Sequence, residues 1–480
     1  MNRLRSVRYL YAHRSDAPGA RDIAYFVYLA ALTIGIVGAP LIRAAAQRLA
    51  SPDTVARLTS TATPLIVVAV MTVAALALLA AGRLRGPVVP EPFRVLLLAG
   101  TDLPRERSLL RPFALAALWP IAGALGIAAL LGCVLVSVGA MGAGTFALVL
   151  VSAVCIGASS SVGWLAGQSL GWAGRLATAL TLVAAAAAGY ASFALLGWPG
   201  VAAVGGIAAV IAIVCVPRLL ARIDGVQLLA DATRWQLAAT ASIVGDVQHA
   251  AGLFRQLPSH GRTWQAIAGP HALLTARSDL VGAARTPLRF AIGTAFAILA
   301  WALLAASPAM PIAPWAFGAV GLVMGYLAVG TLSDGYRHAA ACATMPALYG
   351  HSVLRLYLAH SVAPAFFALL SAVVGALLAA LVIPGSVSYL ALLGAVVAVV
   401  LRAFDSAKGD LPPELLTPQP TPMGDMSGIM VMGWQADALL IALVGGGLIA
   451  ASGSLLPAVT ITAGVVGFLL RSLRRRLAAK

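Results

Sequence analysis

The chain has 480 residues, of which 61% are hydrophobic and 10% charged, with a mean hydropathy of +0.94; this excludes an ordinary soluble domain and reads as a polytopic membrane protein. Its apolar runs of about 20 residues are continuous, so the spans are helices and the fold class is all-α. The formal charge of +16 gathers at predicted membrane ends, where it faces anionic lipid, and no recognition motif points to nucleic acid.

The basic segment before the first apolar run lacks the pattern of a cleavable leader. The runs at 23–43, 63–82, 113–136, 143–167, 176–196, 199–217, 290–307, 313–332, 357–383, 387–401, 435–452 and 455–470 predict about twelve spans. An even count puts both termini on one side. Placing them inside leaves only Arg43, Arg48 and Arg57 outside and the other basic residues inside, as the positive-inside rule requires. The expected location is the plasma membrane, multi-pass, with both termini cytoplasmic.

Two polar segments divide the chain into similar halves. Ala12-His13-Arg14-Ser15-Asp16-Ala17-Pro18-Gly19-Ala20 is largely repeated by Thr275-Ala276-Arg277-Ser278-Asp279-Leu280-Val281-Gly282-Ala283, and each leads into an apolar run. A second echo pairs Ser108-Leu109-Leu110-Arg111-Pro112-Phe113 with Ser352-Val353-Leu354-Arg355-Leu356-Tyr357. Matches in the same order at similar spacing point to a duplication. The expected organisation is a first six-helix half with an N-terminal elbow over 1–218, a cytoplasmic connector with a second elbow over 219–289, and a second six-helix half over 290–480.

The link after the second span carries Pro87, Pro90 and Pro92, then Val95-Leu96-Leu97-Leu98, then Thr101-Asp102-Leu103-Pro104-Arg105-Glu106-Arg107. An apolar patch bounded by charge predicts a short helix at the interface, a solvated loop being the alternative. Its counterpart in the second half holds Asp334, Arg337, His338, Pro346 and His351. In the connector, Gln227, Asp231 and Arg234 lie opposite Leu228, Leu229 and Ala232, which predicts an amphipathic helix to about Leu253, ended by Pro258 and Gly261. The prolines between 412 and 422 make the last long link a loop. Met423, Met426, Met430 and Met432 beyond it are soft enough for copper, though packing is the commoner use of such methionines.

Chemistry-bearing residues are sparse. Only Asp437 of the sixteen carboxylates falls within a predicted span, whereas gradient-driven carriers place ionisable groups at mid-membrane. No Walker A pattern surrounds either lysine. Ser159-Ser160-Ser161 has no nearby base and is expected to bond back to its helix. His360, at the start of a span, reads as an interfacial or packing histidine, a proton-handling role being the alternative. Asp102 and Glu106 share a helical face next to Arg105 and Arg107, a charge-balanced surface rather than a metal site. The scattered cysteines have no metal-ligand or disulfide spacing. Trp198, Trp301 and Trp315 towards one membrane face, and Trp164, Trp172 and Trp434 towards the other, fit aromatic belts. Glycines such as Gly205-Gly206 and Gly445-Gly446-Gly447 are expected at helix contacts.

Six spans per half, an elbow before each half and a cytoplasmic link after each second span resemble the type-two permeases of ATP-binding cassette exporters. The wording of Leu103-Pro104-Arg105-Glu106-Arg107-Ser108-Leu109-Leu110-Arg111-Pro112, and of Leu332-Ser333-Asp334-Gly335 leading to Leu354-Arg355-Leu356, is similar to actinobacterial permeases of that kind. The resemblance implies two fused permease halves and no ATPase or other catalytic residue, cofactor or metal in this chain. ATP and Mg would sit on a separate cytoplasmic ATPase, in two copies, with membrane lipid as the other partner. It also implies coupling through Arg14, Asp16, Thr101, Asp102, Pro104, Arg105 and Glu106 in the first half and Arg277, Asp279, Asp334, Arg337 and Pro346 in the second. The charge-poor spans suit an apolar or amphipathic cargo. A gradient-driven transporter, a non-transporting scaffold and a lipid-modifying enzyme are the competing readings.

Overall fold

The computed structural model describes residues 20–60, 63–99, 104–244, 252–254, 260–265, 274–310, 313–343, 352–408, 413–417, 420–421 and 424–478. The chain divides into two compact units, Met1–Thr240 and Ala241–Lys480.

In unit 1, α1 (Ala20–Thr33) runs through a π-helical turn, Ile34–Gly38, into α2 (Ala39–Leu49). The single span expected at 23–43 is thus interrupted. Pro40, in the first turn of α2, lacks the N–H that would bond to residue 36 and its ring crowds that carbonyl, so the ladder shifts register. Then come α3 (Pro52–Leu58), α4 (Thr63–Ala81), the link helices α5 (Pro92–Ala99) and α6 (Arg105–Ser108), and four spans: α7 (Leu110–Ser137), α8 (Ala143–Ser169), α9 (Trp172–Leu196) and α10 (Trp198–Ala221). The connector helix α11 covers Gly225–Val244.

Unit 2 holds α12 (Leu274–Ala284), α13 (Pro287–Ala306), α14 (Pro314–Val329), α15 (Asp334–Cys342), α16 (Val353–Val382), α17 (Ser388–Ser406), α18 (Ser427–Ala451) and α19 (Leu455–Ala478). Pro420–Thr421 and Gly424–Asp425 form a minimal antiparallel β pair, β1 and β2. Among the described residues, 11 helices are long and apolar enough to cross a membrane: α4, α7 to α10, α13, α14 and α16 to α19. The protein is an all-α, multi-pass membrane protein.

Counting spans within each unit, the second contacts the fourth and the fifth, the third contacts the fourth, the fourth contacts the fifth and sixth, and the fifth contacts the sixth, in both units. The first spans differ. In unit 2, α13 packs on α14, α16 and α17, whereas in unit 1 the α1 side chains Tyr25, Phe26, Val27 and Tyr28 are exposed.

Unit 2 is packed along its spans. Trp301 is fully buried in the core cluster of unit 2, against Gly325, Gly375 and Gly394, and its Nε1–H donates to Ser371 Oγ at 3.0 Å. This corrects the aromatic-belt expectation for Trp301: the indole has found a polar partner inside the bundle, which is what a buried tryptophan requires. Gly446 faces Gly318 so closely that a Cβ on either would meet the other's backbone oxygen. That contact lets α14 and α18 approach as small-residue membrane interfaces do. Unit 1 instead buries its core at one end. Val88, Val95 and Leu98 of the link pack with Leu109, Phe113, Leu220, Ile223, Leu228 and Ala232. The apolar patch at 95–98 is therefore helical, with Val95 and Leu98 turned inward and Leu96 exposed, and the buried stripe of α11 is the one its periodicity predicted. Ser161 Oγ bonds back to Gly157 O at 2.7 Å.

Helices overrun their apolar stretches: the run at 387–401 continues to Ser406 and that at 455–470 to Ala478. Asp405 therefore joins Asp437 on a membrane-spanning helix, correcting the expectation that Asp437 stands alone.

Candidate functional site

Because successive spans reverse direction, the ends near 287, 332, 353, 406, 427 and 478 lie together, and the described ion pairs of unit 2 are there. The elbow helix α12 carries Asp279, whose carboxylate accepts from His360 Nδ1–H on α16 at 2.9 and 3.1 Å. Their side chains are only 5% and 6% exposed. A buried carboxylate is tolerated only when it is paired and hydrogen-bonded, and this partner comes from 81 residues away. Gly335 of α15 lies over the pair: a Cβ there would collide with His360 Nδ1 and Asp279 Oδ1.

A half-open cavity of about 190 Å³ is lined by Ser278, Asp279, Thr331, Asp334, His338 and His360, among others. On its rim Asp334 accepts from Arg289 Nη1 at 3.0 Å, and Arg289 Nη2 donates to Gly330 O at 3.0 Å. Behind it Tyr336 donates to Ser361 Oγ at 2.9 Å and stacks on Tyr357. Burial pushes the Tyr336 phenol up to about 12, so its hydroxyl stays a neutral donor at any physiological pH.

The sequence-predicted residues separate clearly. Asp279 and Asp334, from elbow and link, line one cavity. Arg277 is exposed on α12, and Arg337 is half-buried on α15. In unit 1, Pro104 precedes α6 and Arg105 donates through Nη1 to Ile223 O, satisfying a carbonyl just past the end of α10. Glu106 is half-buried beside it. Arg14, Asp16, Thr101, Asp102 and Pro346 lie outside the described residues.

A second cluster went unnoticed in the sequence. Lys408, with a side chain 3% exposed, places its ammonium 3.4 Å from Asp405 Oδ1, against Asp437 Oδ1, and 3.0 Å from Gln435 O. The ammonium donates to the carbonyl and is ion-paired with both carboxylates. Arg476 Nη2 bonds Asp437 Oδ2 at 2.6 Å, Tyr326 Oη donates to Asp405 Oδ2 at 2.8 Å, and Arg402 covers the Tyr326 ring while donating to Tyr326 O at 2.6 Å. The network ties α14, α17, α18 and α19. The spacing of Arg402, Asp405 and Lys408, three residues apart each time, was one available signal, and the place of Asp437 inside a span was another; Arg476 had none.

Neutral side chains tie the link of unit 1 to its spans. The Gln168 amide accepts from Val88 N–H at 3.2 Å and donates to Val88 O at 2.8 Å. Trp164 Nε1 donates to Arg85 O at 2.7 Å, and Trp235 Nε1 to Leu84 O at 3.3 Å. Burial of Asp231 on α11 pushes its carboxyl up, against the lowering effect of Arg234 3.2 Å away.

Among the described residues, no group of three or more His, Cys, Asp or Glu is placed to hold a metal. Met430 and Met432 are exposed on α18, so they do not pack inside unit 2 as expected; Met423 lies outside the described residues. No known family, curated protein or solved structure matches the chain. Chemically, the cavity offers a fixed imidazole, two carboxylates and hydroxyls, with no activated nucleophile.

Proposed function

We propose that this chain is the membrane-spanning permease of an ATP-driven exporter, moving an apolar or amphipathic cargo with ATP hydrolysed on a separate cytoplasmic subunit. The observation that carries the reading is the meeting of elbow and link. Asp279 of α12 and Asp334 and Gly335 of α15 line one cavity at the link end of unit 2, with His360 of the third span behind them. A push on either segment would reach the span directly, as a subunit that captures work from a partner's closure requires. The six span pairings common to both units support two duplicated halves, each with a docking end. Charged side chains gathered at span ends, with small hydroxyls between, support a cargo that needs no buried counter-charge.

The test is purification of the tagged chain in mild detergent with its bound proteins, followed by an ATPase assay. A stoichiometric partner with a Walker A motif, with turnover lost in Arg277→Glu and stimulated by amphiphiles, is the expected result. A chain that purifies alone, with no ATPase under several conditions, overturns the reading. The buried Asp279–His360 pair favours one second reading, a proton-driven carrier. Transport that persists with ATP exhausted and collapses with an uncoupler selects it.

A further inference from the structure

The sixth span of unit 2 continues past its apolar stretch. The part at 455–470 rises about 24 Å, and the same helix, α19, runs on to Ala478 with Arg471, Arg474, Arg475 and Arg476 in its last two turns. At 3.6 residues per turn these four cannot share one side. Ala458, Thr462, Leu469 and Leu473 are buried, and Arg476 follows that face, donating to Phe404 O at 3.1 Å and to Asp437 Oδ2 at 2.6 Å. The inner face thus fixes the rotation of α19 up to its last turn.

Opposite it, Gly464, Gly467, Phe468, Arg471, Arg474 and Arg475 fall within about a third of the helix circumference, and all six are exposed. A Cβ on Gly464 or Gly467 would meet no described atom within 4 Å, so this stretch is a shallow trough bordered by Phe468. Among the described residues, none of the three outward arginines has a recorded ion pair or side-chain hydrogen bond, in contrast to Arg476.

This face has an apolar part and a cationic part in the order that a phospholipid has them. The glycine trough lies within the apolar slab, where small residues let an apolar partner approach the backbone. Arg471 to Arg475 then covers about 6 Å along the axis, comparable to the headgroup layer, which widens a hydrocarbon core of about 30 Å to a total of about 40–45 Å. A guanidinium presents a planar fork of donors that matches phosphate oxygens. We infer that the outer face of α19 binds one anionic phospholipid of the leaflet at the link end, with its phosphate held by Arg471, Arg474 and Arg475 and an acyl chain lying along Gly464 and Gly467. The sixth span of unit 1 has no equivalent clamp, since Arg218 is the basic residue in the last turn of α10. The inference needs only the membrane-spanning fold and stands apart from the exporter reading.

The experiment is native mass spectrometry of the full chain, delipidated in detergent and titrated with phosphatidylglycerol or with phosphatidylcholine of the same acyl chains. Wild type should retain one phosphatidylglycerol in strong preference to phosphatidylcholine. Arg471→Gln, Arg474→Gln and Arg475→Gln together should weaken it roughly 100-fold, at about fivefold for each arginine near a membrane surface. Gly467→Leu, which keeps every charge and fills the trough, should weaken it severalfold. Arg218→Gln with Arg222→Gln, at exposed positions of unit 1, should leave it unchanged. None of the substituted side chains is buried, so unfolding midpoints without added lipid should match wild type. Equal retention of the two lipids, or undiminished binding in either the triple variant or Gly467→Leu, overturns the proposal. An equal loss in Arg218→Gln with Arg222→Gln also overturns it, because only overall charge would then be read. Displacement of the lipid by inorganic phosphate alone does so too, assigning the arginines to a free anion.

Discussion

The two units share their span pairings but are held together by different physics. In unit 2, 61% of the α17 apolar window and 50% of that of α14 is buried, and a charged network locks four spans at one end. In unit 1 their counterparts α8 and α4 are 39% and 11% buried and α9 is 0%, the hydrophobic cluster gathers at the link end, and the link is strapped by the neutral Gln168, Trp164 and Trp235 onto backbone groups. In lipid, exposed apolar side chains carry no penalty, so a span needs no buried face to be stable. What distinguishes the units is the cost of losing one partner: small where a neutral amide is replaced, large where a buried ion is stranded.

Breaking one ion should produce the largest effect. Lys408→Met leaves Asp405 and Asp437 without their shared cation and should destabilise unit 2 by about 3–5 kcal/mol, measured by thermal or denaturant unfolding in detergent; a loss below about 1 kcal/mol would show that the network holds nothing. Removing both charges in Lys408→Met with Asp437→Leu should recover part of that loss, since a buried pair replaced by apolar groups is often neutral, and the double-mutant cycle reads the coupling directly. Gly446→Leu, which forces a side chain into the Gly318 contact, should cost about 1–3 kcal/mol and separate α14 from α18, seen as lost protection of both helices. Gln168→Ala, the neutral counterpart in unit 1, should cost about 1–3 kcal/mol by stranding Val88, with exchange rising around 84–90. Leu195→Ala, at a side chain 83% exposed, should stay within about 0.5 kcal/mol; a larger effect would mean that α9 is covered by a partner.

The membrane class and nearly all the spans were legible because a hydrocarbon slab demands length and apolarity of each helix separately, a local requirement that one sequence displays. The interruption at Ile34–Gly38 was not, since hydropathy does not register a missing N–H at Pro40. The ends of α17 and α19 were also misplaced, because Arg402, Asp405 and Arg476 look like loop residues until partners on other helices neutralise them. The site was half legible. Asp279 and Asp334 were reached through repetition and resemblance, but their convergence was not, and His360 looked like packing because its carboxylate lies 81 residues away. Trp301 shows the same limit: an indole near a span end reads as a belt residue unless Ser371 is known to sit opposite it.

The chain has two lysines, Lys408 and Lys480, and the ammonium of Lys408 is enclosed by two carboxylates and a backbone carbonyl. An amine-reactive reagent needs a free lone pair and an open approach, and Lys408 in the folded chain provides neither. Labelling of Lys408 with such a reagent should therefore be absent while unit 2 is closed. Position 408 becomes a chemical reporter, silent in the native bundle and modified as soon as the four spans part.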